Sequence, residues 1–145
     1  MKIFLFIFFI TLNSLLIFKV NPIYKPKTTA IAYGISFVAV PLLMLASAYL
    51  QVIFKISMSD AADQILINVV FSLMIVILMN LFILLSDVIV NTLLNFQEKH
   101  NGANLDRNPV KFALYNKEGV KSFYRIAFFL GSVLAYYGIW IAKKQ

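Results

Sequence analysis

Cysteine is absent from this chain of 145 residues, which excludes disulfides, thiolate metal sites and a cysteine nucleophile. Charged residues are scarce, at 13% of the sequence, roughly half their share in an ordinary soluble domain. The single histidine, His100, cannot build a metal site that needs several histidines. The sequence also lacks a glycine-rich phosphate loop, a nucleophile elbow and a paired carboxylate motif. We therefore predict that the protein is not an enzyme and uses no cofactor or metal.

Apolar side chains dominate the sequence instead. Hydrophobic residues make up 61% of it, whereas soluble domains contain nearer half. A soluble core of this size could not enclose so many phenylalanine, leucine and isoleucine side chains, so lipid has to cover them. The composition predicts an integral membrane protein.

Four apolar runs approach or exceed the length that crosses a bilayer, which takes about 20 helical residues. They cover residues 3–18, 30–54, 65–94 and 126–142. The first run is slightly short, at about 24 Å, and it lacks the small-residue cleavage pattern of a signal peptide. We predict a single all-α domain over residues 1–145, a small polytopic bundle of four transmembrane helices.

The positive charges predict an orientation for these helices. The formal charge is +7, and the cations cluster between the apolar runs, as headgroup anchors do. Because no nucleic-acid motif accompanies them, we expect no nucleic-acid partner. Nine cations fall in the connections after the first and third runs: Lys19, Lys25, Lys27, Lys99, Arg107, Lys111, Lys117, Lys121 and Arg125. The other four are Lys2, Lys55, Lys143 and Lys144. This imbalance predicts that both termini lie outside the cytoplasm.

The connection over residues 95–125 is predicted to be a basic interfacial loop. It opens with turn-forming residues, and basic side chains are then interspersed among apolar ones from Val110 to Tyr124. Such a segment lies along a membrane surface, with its apolar side chains inserted and its cations on lipid phosphates. The predicted headgroup-binding residues are Lys111, Lys117, Lys121 and Arg125.

Three polar residues interrupt the third run. On a helix, Asn80, Asp87 and Asn91 fall within about 40° of one another, so they form one polar seam. The seam should face other helices or water, because hydrocarbon penalises unpartnered polar groups. Residues 65–86 already satisfy the bilayer thickness, which favours an interfacial Asp87 without a buried partner and a deep Asn80 that faces another helix. The alternative is a buried Asp87 that binds or relays a cation or proton.

The fourth run carries a face of small residues. Its members recur every three or four positions and span about 80° of the helix: Ala127, Gly131, Ala135, Gly138 and Ala142. Small faces let membrane helices approach closely. We expect this face to be buried, preferably against the chain's own helices, although a second copy or a foreign helix would fit equally.

The small size, the basic charge and the number of predicted spans suggest two hypotheses about function. Small basic chains with four spans and no cysteine include immunity proteins against membrane-active toxins in bacterial cytoplasmic membranes, and small subunits of larger membrane complexes. We therefore expect helix–helix contact with a membrane-protein partner or a second copy. The alternatives are an oligomeric ion channel or carrier lined by the third helix, and a membrane-active lysis element.

Overall fold

Five helices make up most of the chain in a computed structural model that describes residues 1–19, 26–55, 58–100, 108 and 110–142. Their bounds are Lys2–Phe18 (α1), Pro26–Phe54 (α2), Asp60–His100 (α3), Val110–Tyr115 (α4) and Lys117–Trp140 (α5). The described residues contain no strand, which confirms the prediction of an all-helical chain.

Three helices are long and apolar enough to cross a membrane: 27–54 in α2, and the whole of α3 and α5. The helix α1 is apolar but shorter, with 17 residues. The longest is α3, whose 41 residues extend over about 60 Å, twice the thickness of the hydrocarbon. The chain is therefore compatible with an integral membrane protein.

The ends of α3 carry charges that suit the helix dipole. Asp60 and Asp63 lie in its first turn, and Lys99 and His100 lie in its last turn. Ser59 precedes the helix, and its hydroxyl accepts from the backbone N–H of Ala62 at 3.4 Å. These residues extend α3 beyond the apolar run at both ends.

The helices α1, α3 and α5 form the core, with α5 antiparallel to the other two. The start of α3 contacts the end of α5 through Asn68 with Ile139 and Ser72 with Trp140. Farther along α3, Asp87 contacts Arg125 near the start of α5. In α1, Phe9 lies against Tyr136 and Asn13 bonds Ser132. It follows that α1 and α3 run in the same direction.

Aromatic rings fill the centre of this core. Phe9, Val76, Tyr136 and Trp140 are all buried in one cluster. The rings of Phe9 and Trp140 stack with their centroids 6.2 Å apart and their planes 16° from parallel. This stack joins α1 to the C-terminal end of α5.

The helix α2 lies outside this core and packs extensively against α3 alone. It runs without interruption through Pro41, and none of the residues in its most apolar window is buried. The described residues thus form a three-helix core with a peripheral fourth helix, an arrangement that the sequence prediction of a small four-helix bundle did not specify. The reason is that the apolar character of a membrane helix serves lipid and protein contacts equally, so composition does not distinguish a core helix from a peripheral one.

The predicted loop over residues 95–125 is largely helical. α3 continues to His100, and α5 already begins at Lys117, after a break in the helix at Asn116. The segment 110–124 is not one element, because its second half is continuous with the apolar helix α5. Its place at the membrane surface stays a prediction. Helix propensity rather than apolarity determines where these helices end, and the residues beyond the apolar runs still favour a helix.

Several sequence predictions concern residues outside the described part of the chain. These are the cation Lys25, the turn-forming segment 101–107 with Arg107, and the terminal Lys143 and Lys144.

Candidate functional site

A buried polar layer joins the three core helices near their middle. The Nδ2 of Asn13 donates to the Ser132 hydroxyl at 2.8 Å. The Nδ2 of Asn80 donates to Oδ1 of Asn13 at 3.3 Å and to the Val76 carbonyl at 2.8 Å. Asn13 and Ser132 are completely buried, and Asn80 is 7% exposed. Asn80 thus faces another helix, as its place on the polar seam predicts.

No sequence prediction concerns Asn13, although its position in the sequence indicates a contact with another helix. Asn13 is an amide in the middle of an apolar run, where a polar side chain needs a partner on another helix. Its two partners lie 67 and 119 positions away, so spacing along the chain could not have identified them.

A second polar layer lies toward the N-terminal end of α3. Trp140 donates its indole N–H to the Ser72 hydroxyl at 2.8 Å, and that hydroxyl donates to the Asn68 carbonyl at 2.8 Å. The Asn68 amide donates to the Ile139 carbonyl at 3.2 Å and accepts from Gln64 at 2.8 Å. The bonds from Trp140 to Ser72 and from Asn68 to Ile139 fix α5 against α3, because both need the same register between the two helices.

We expect Asn80→Leu to lower the free energy of unfolding by only about 1 kcal/mol, since single hydrogen bonds between membrane helices are weak. Asn13 keeps its bond to Ser132 in the variant, which limits the loss. Unfolding by denaturing detergent in mixed micelles would measure the difference. A loss several times larger would mean that the hydrogen bonds of Asn80 also hold other contacts of the core in place.

A third polar group joins α3 to α5 at the other end of the core. Arg125 donates to Oδ2 of Asp87 at 3.0 Å, and the Tyr124 hydroxyl donates to Oδ1. The side chains of Asp87 and Arg125 are only 13% and 22% exposed. The expectation that Asp87 needs no buried partner is therefore wrong: a carboxylate at this depth requires compensation, and α5 brings a cation and a hydroxyl to it.

The three residues of the predicted seam do not form one network. Asn80 belongs to the middle layer, and Asp87 belongs to the group with Arg125. Asn91 lies one turn beyond Asp87. Its buried Oδ1 and the buried Nε of Arg125 have no hydrogen-bond partner among the residues that the structure describes. The buried side chains of Ile83 and Leu84 lie between Asn80 and Asp87 along α3.

The four predicted headgroup-binding cations differ in their surroundings. Lys111 is exposed and Lys117 is half-buried. Lys121 pairs with Glu118 at 3.0 Å on the same helix. The guanidinium of Arg125 is committed to Asp87, so Arg125 is above all a partner within the chain. For the three lysines, lipid binding stays a prediction.

The small face of α5 does not pack against another helix in the described part of the chain. Ala127, Gly131, Gly138 and Ala142 are exposed, and Ala135 is half-buried. A Cβ added at either glycine would meet no atom within 4 Å. The chain instead buries the opposite side of α5 through Ser132, Tyr136 and Trp140. Hydrogen bonding and ring size select that side, which corrects the preference for internal packing of the small face.

Comparison of the chain with family models, curated proteins and solved structures finds no match. Among the described residues, no group of three or more His, Asp and Glu is placed to hold a metal ion. The geometry of the polar groups and of the small face is therefore the basis on which function is inferred.

Proposed function

We propose that this chain is a non-enzymatic membrane protein with four transmembrane helices that acts by helix–helix contact within the bilayer. The direction of the helices supports four crossings. Because α1 and α3 run parallel, the intervening α2 has to return across the membrane. With 17 residues, or about 25 Å, α1 crosses with slight local thinning of the bilayer.

In this proposal both termini lie outside the cytoplasm, and the membrane is a bacterial cytoplasmic membrane. Phe18 contacts the ring of Phe129, one turn from Arg125, at a centroid distance of 5.7 Å. Lys19 and Arg125 therefore lie at the same end of the core. This arrangement agrees with cationic connections on one side of the membrane, which is the cytoplasmic side for such residues.

The open small face of α5 is the observation that carries the contact hypothesis. Both of its glycines leave space around them, while α5 uses its opposite side for its own chain. In a bilayer, two helices associate where small residues let their backbones approach. The partner is a second copy or a helix of another membrane protein, as for an accessory subunit or an immunity protein.

We expect Gly131→Ile or Gly138→Ile to abolish assembly while leaving the fold of the single chain intact. A branched side chain holds a partner helix away, and overpacking of this kind costs about 1–3 kcal/mol. Within the chain the new side chain meets no neighbour at its Cβ. Cross-linking in native membranes measures assembly, and denaturing-detergent titration measures the fold.

Leu134→Ile is the matched control, because Leu134 is 73% exposed on the same helix but lies outside the small face. It should leave both assembly and fold unchanged. Normal assembly of both glycine variants would contradict the proposed contact face.

A second candidate function is an oligomeric channel or small carrier lined by α3. The ionisable Asp87, with the unpartnered Oδ1 of Asn91 one turn away, is the observation in its favour. Purified chain in liposomes should then conduct ions, and Asp87→Asn should abolish the flux. The hydrogen bonds that Asn80 and Ser72 make within the chain favour the contact function instead, because they leave these side chains unavailable to line a pore.

A further inference from the structure

The hydroxyl of Tyr136 is a polar group without a protein partner in the centre of the core. Tyr136 is completely buried, and its oxygen makes no hydrogen bond with any other group in the described part of the chain. Its ring lies 6.0 Å from that of Phe9 and belongs to the same cluster as Val76. A phenylalanine would fill the ring's place equally well, so packing does not explain the hydroxyl.

Along α5, Tyr136 lies between two hydrogen-bonded layers. Ser132 of the middle layer is one turn before Tyr136, and Trp140 of the second layer is one turn after it. On α3, Val76 stands one turn from Ser72 and one turn from Asn80. The hydroxyl of Tyr136 takes no part in the hydrogen bonds of either layer.

The surroundings of Tyr136 determine what could bind there. Burying a hydroxyl without a hydrogen bond is costly, and inside a bilayer no bulk solvent is available to compensate. The neighbouring layers offer hydroxyl and amide groups, which both donate and accept. A ligand for this position has to be small and neutral and has to donate as well as accept, because the core is closed around it.

We propose that a water molecule binds the Tyr136 hydroxyl inside the core. Water has these hydrogen-bonding properties, and buried waters characteristically satisfy polar groups that the protein leaves unpaired. The apolar side chains of Ile83 and Leu84 are buried beyond the middle layer, so the bound water stabilises the core and opens no path across it.

Tyr136→Phe tests the energetic consequence. It keeps the ring and removes the hydroxyl. We expect the ratio of folded to unfolded chain to fall roughly three-fold, which corresponds to one average hydrogen bond inside a membrane protein. Detergent unfolding followed by the fluorescence of Trp140, the single tryptophan, gives this ratio. If the hydroxyl is unpartnered, removing it relieves its burial cost and the ratio rises, which would overturn the proposal.

Tyr137→Phe is the matched control, because this neighbouring tyrosine is 52% exposed and should give no change. Water-edited solid-state NMR of the wild-type chain in lipid tests for water directly. We expect magnetisation from water to reach the ring carbons of Tyr136 sooner than those of the adjoining Phe9. Equal transfer to both rings would refute a bound water even if Tyr136→Phe is destabilising.

Discussion

Arg125→Gln is expected to lower the free energy of unfolding by about 3 kcal/mol, because it leaves Asp87 partly buried without its cation. The carboxylate keeps its bond from Tyr124, but a hydroxyl does not neutralise a charge. Both side chains of the pair are less than a quarter exposed, so water compensates little. Detergent unfolding in mixed micelles would measure the loss.

Lys121→Gln provides the control for this prediction. Lys121 also pairs at 3.0 Å, but its partner Glu118 is 81% exposed, and such pairs contribute little. The double variant Asp87→Asn/Arg125→Gln should be more stable than Arg125→Gln alone, because it removes the uncompensated charge. The account of this pair would be wrong if Arg125→Gln and Lys121→Gln had equal effects.

Phe9→Ala is expected to lower the free energy of unfolding by about 3 kcal/mol, the lower part of the range for truncating a buried phenylalanine. The lower part applies because the unfolded helices remain in lipid, so that lost packing, rather than transfer to water, provides most of the effect. Phe9 is 2% exposed and stacks on Trp140, so the variant should also change the emission of that tryptophan.

Phe8→Ala offers a control one residue away. The ring of Phe8 is 49% exposed and lies edge-on to that of Phe9. Its removal should cost less than about 1 kcal/mol, because lipid fills the space it leaves. A cost for Phe8→Ala that matched that of Phe9→Ala would show that α1 is oriented differently in the core.

The sequence predicts where the helices lie along this chain better than it predicts which of their sides contact other helices. A long apolar run with flanking charges identifies each of the four longer helices, because the bilayer imposes its length and composition. The position of Asn80 on the polar seam predicts that it faces another helix, since the geometry of one helix suffices for that. The side of α5 that the chain uses was not predictable in this way, because small residues and hydrogen-bonding residues both mark contact faces.

The environment of Asp87 could not be derived from local sequence for a related reason. Its partners Tyr124 and Arg125 lie 37 and 38 positions away on α5, and the register between α3 and α5 brings them together. That register depends on contacts such as Trp140 with Ser72, near the far end of α5. The sequence predicts headgroup binding for Arg125, and that prediction follows from its charge and not from any partner on another helix.

Thiol accessibility tests most directly the claim that the polar side chains of α3 bind the chain's own helices and do not line a water-filled path. The natural chain has no cysteine, so single cysteines at positions 59, 72 and 80 give unambiguous signals. Ser59 is exposed, whereas Ser72 and Asn80 are buried. With a membrane-impermeant thiol reagent supplied to both faces of lipid bilayers, we predict rapid reaction of Ser59→Cys and no reaction of Ser72→Cys or Asn80→Cys. Reaction of Asn80→Cys at a rate near that of Ser59→Cys would contradict the account and favour a channel lined by α3.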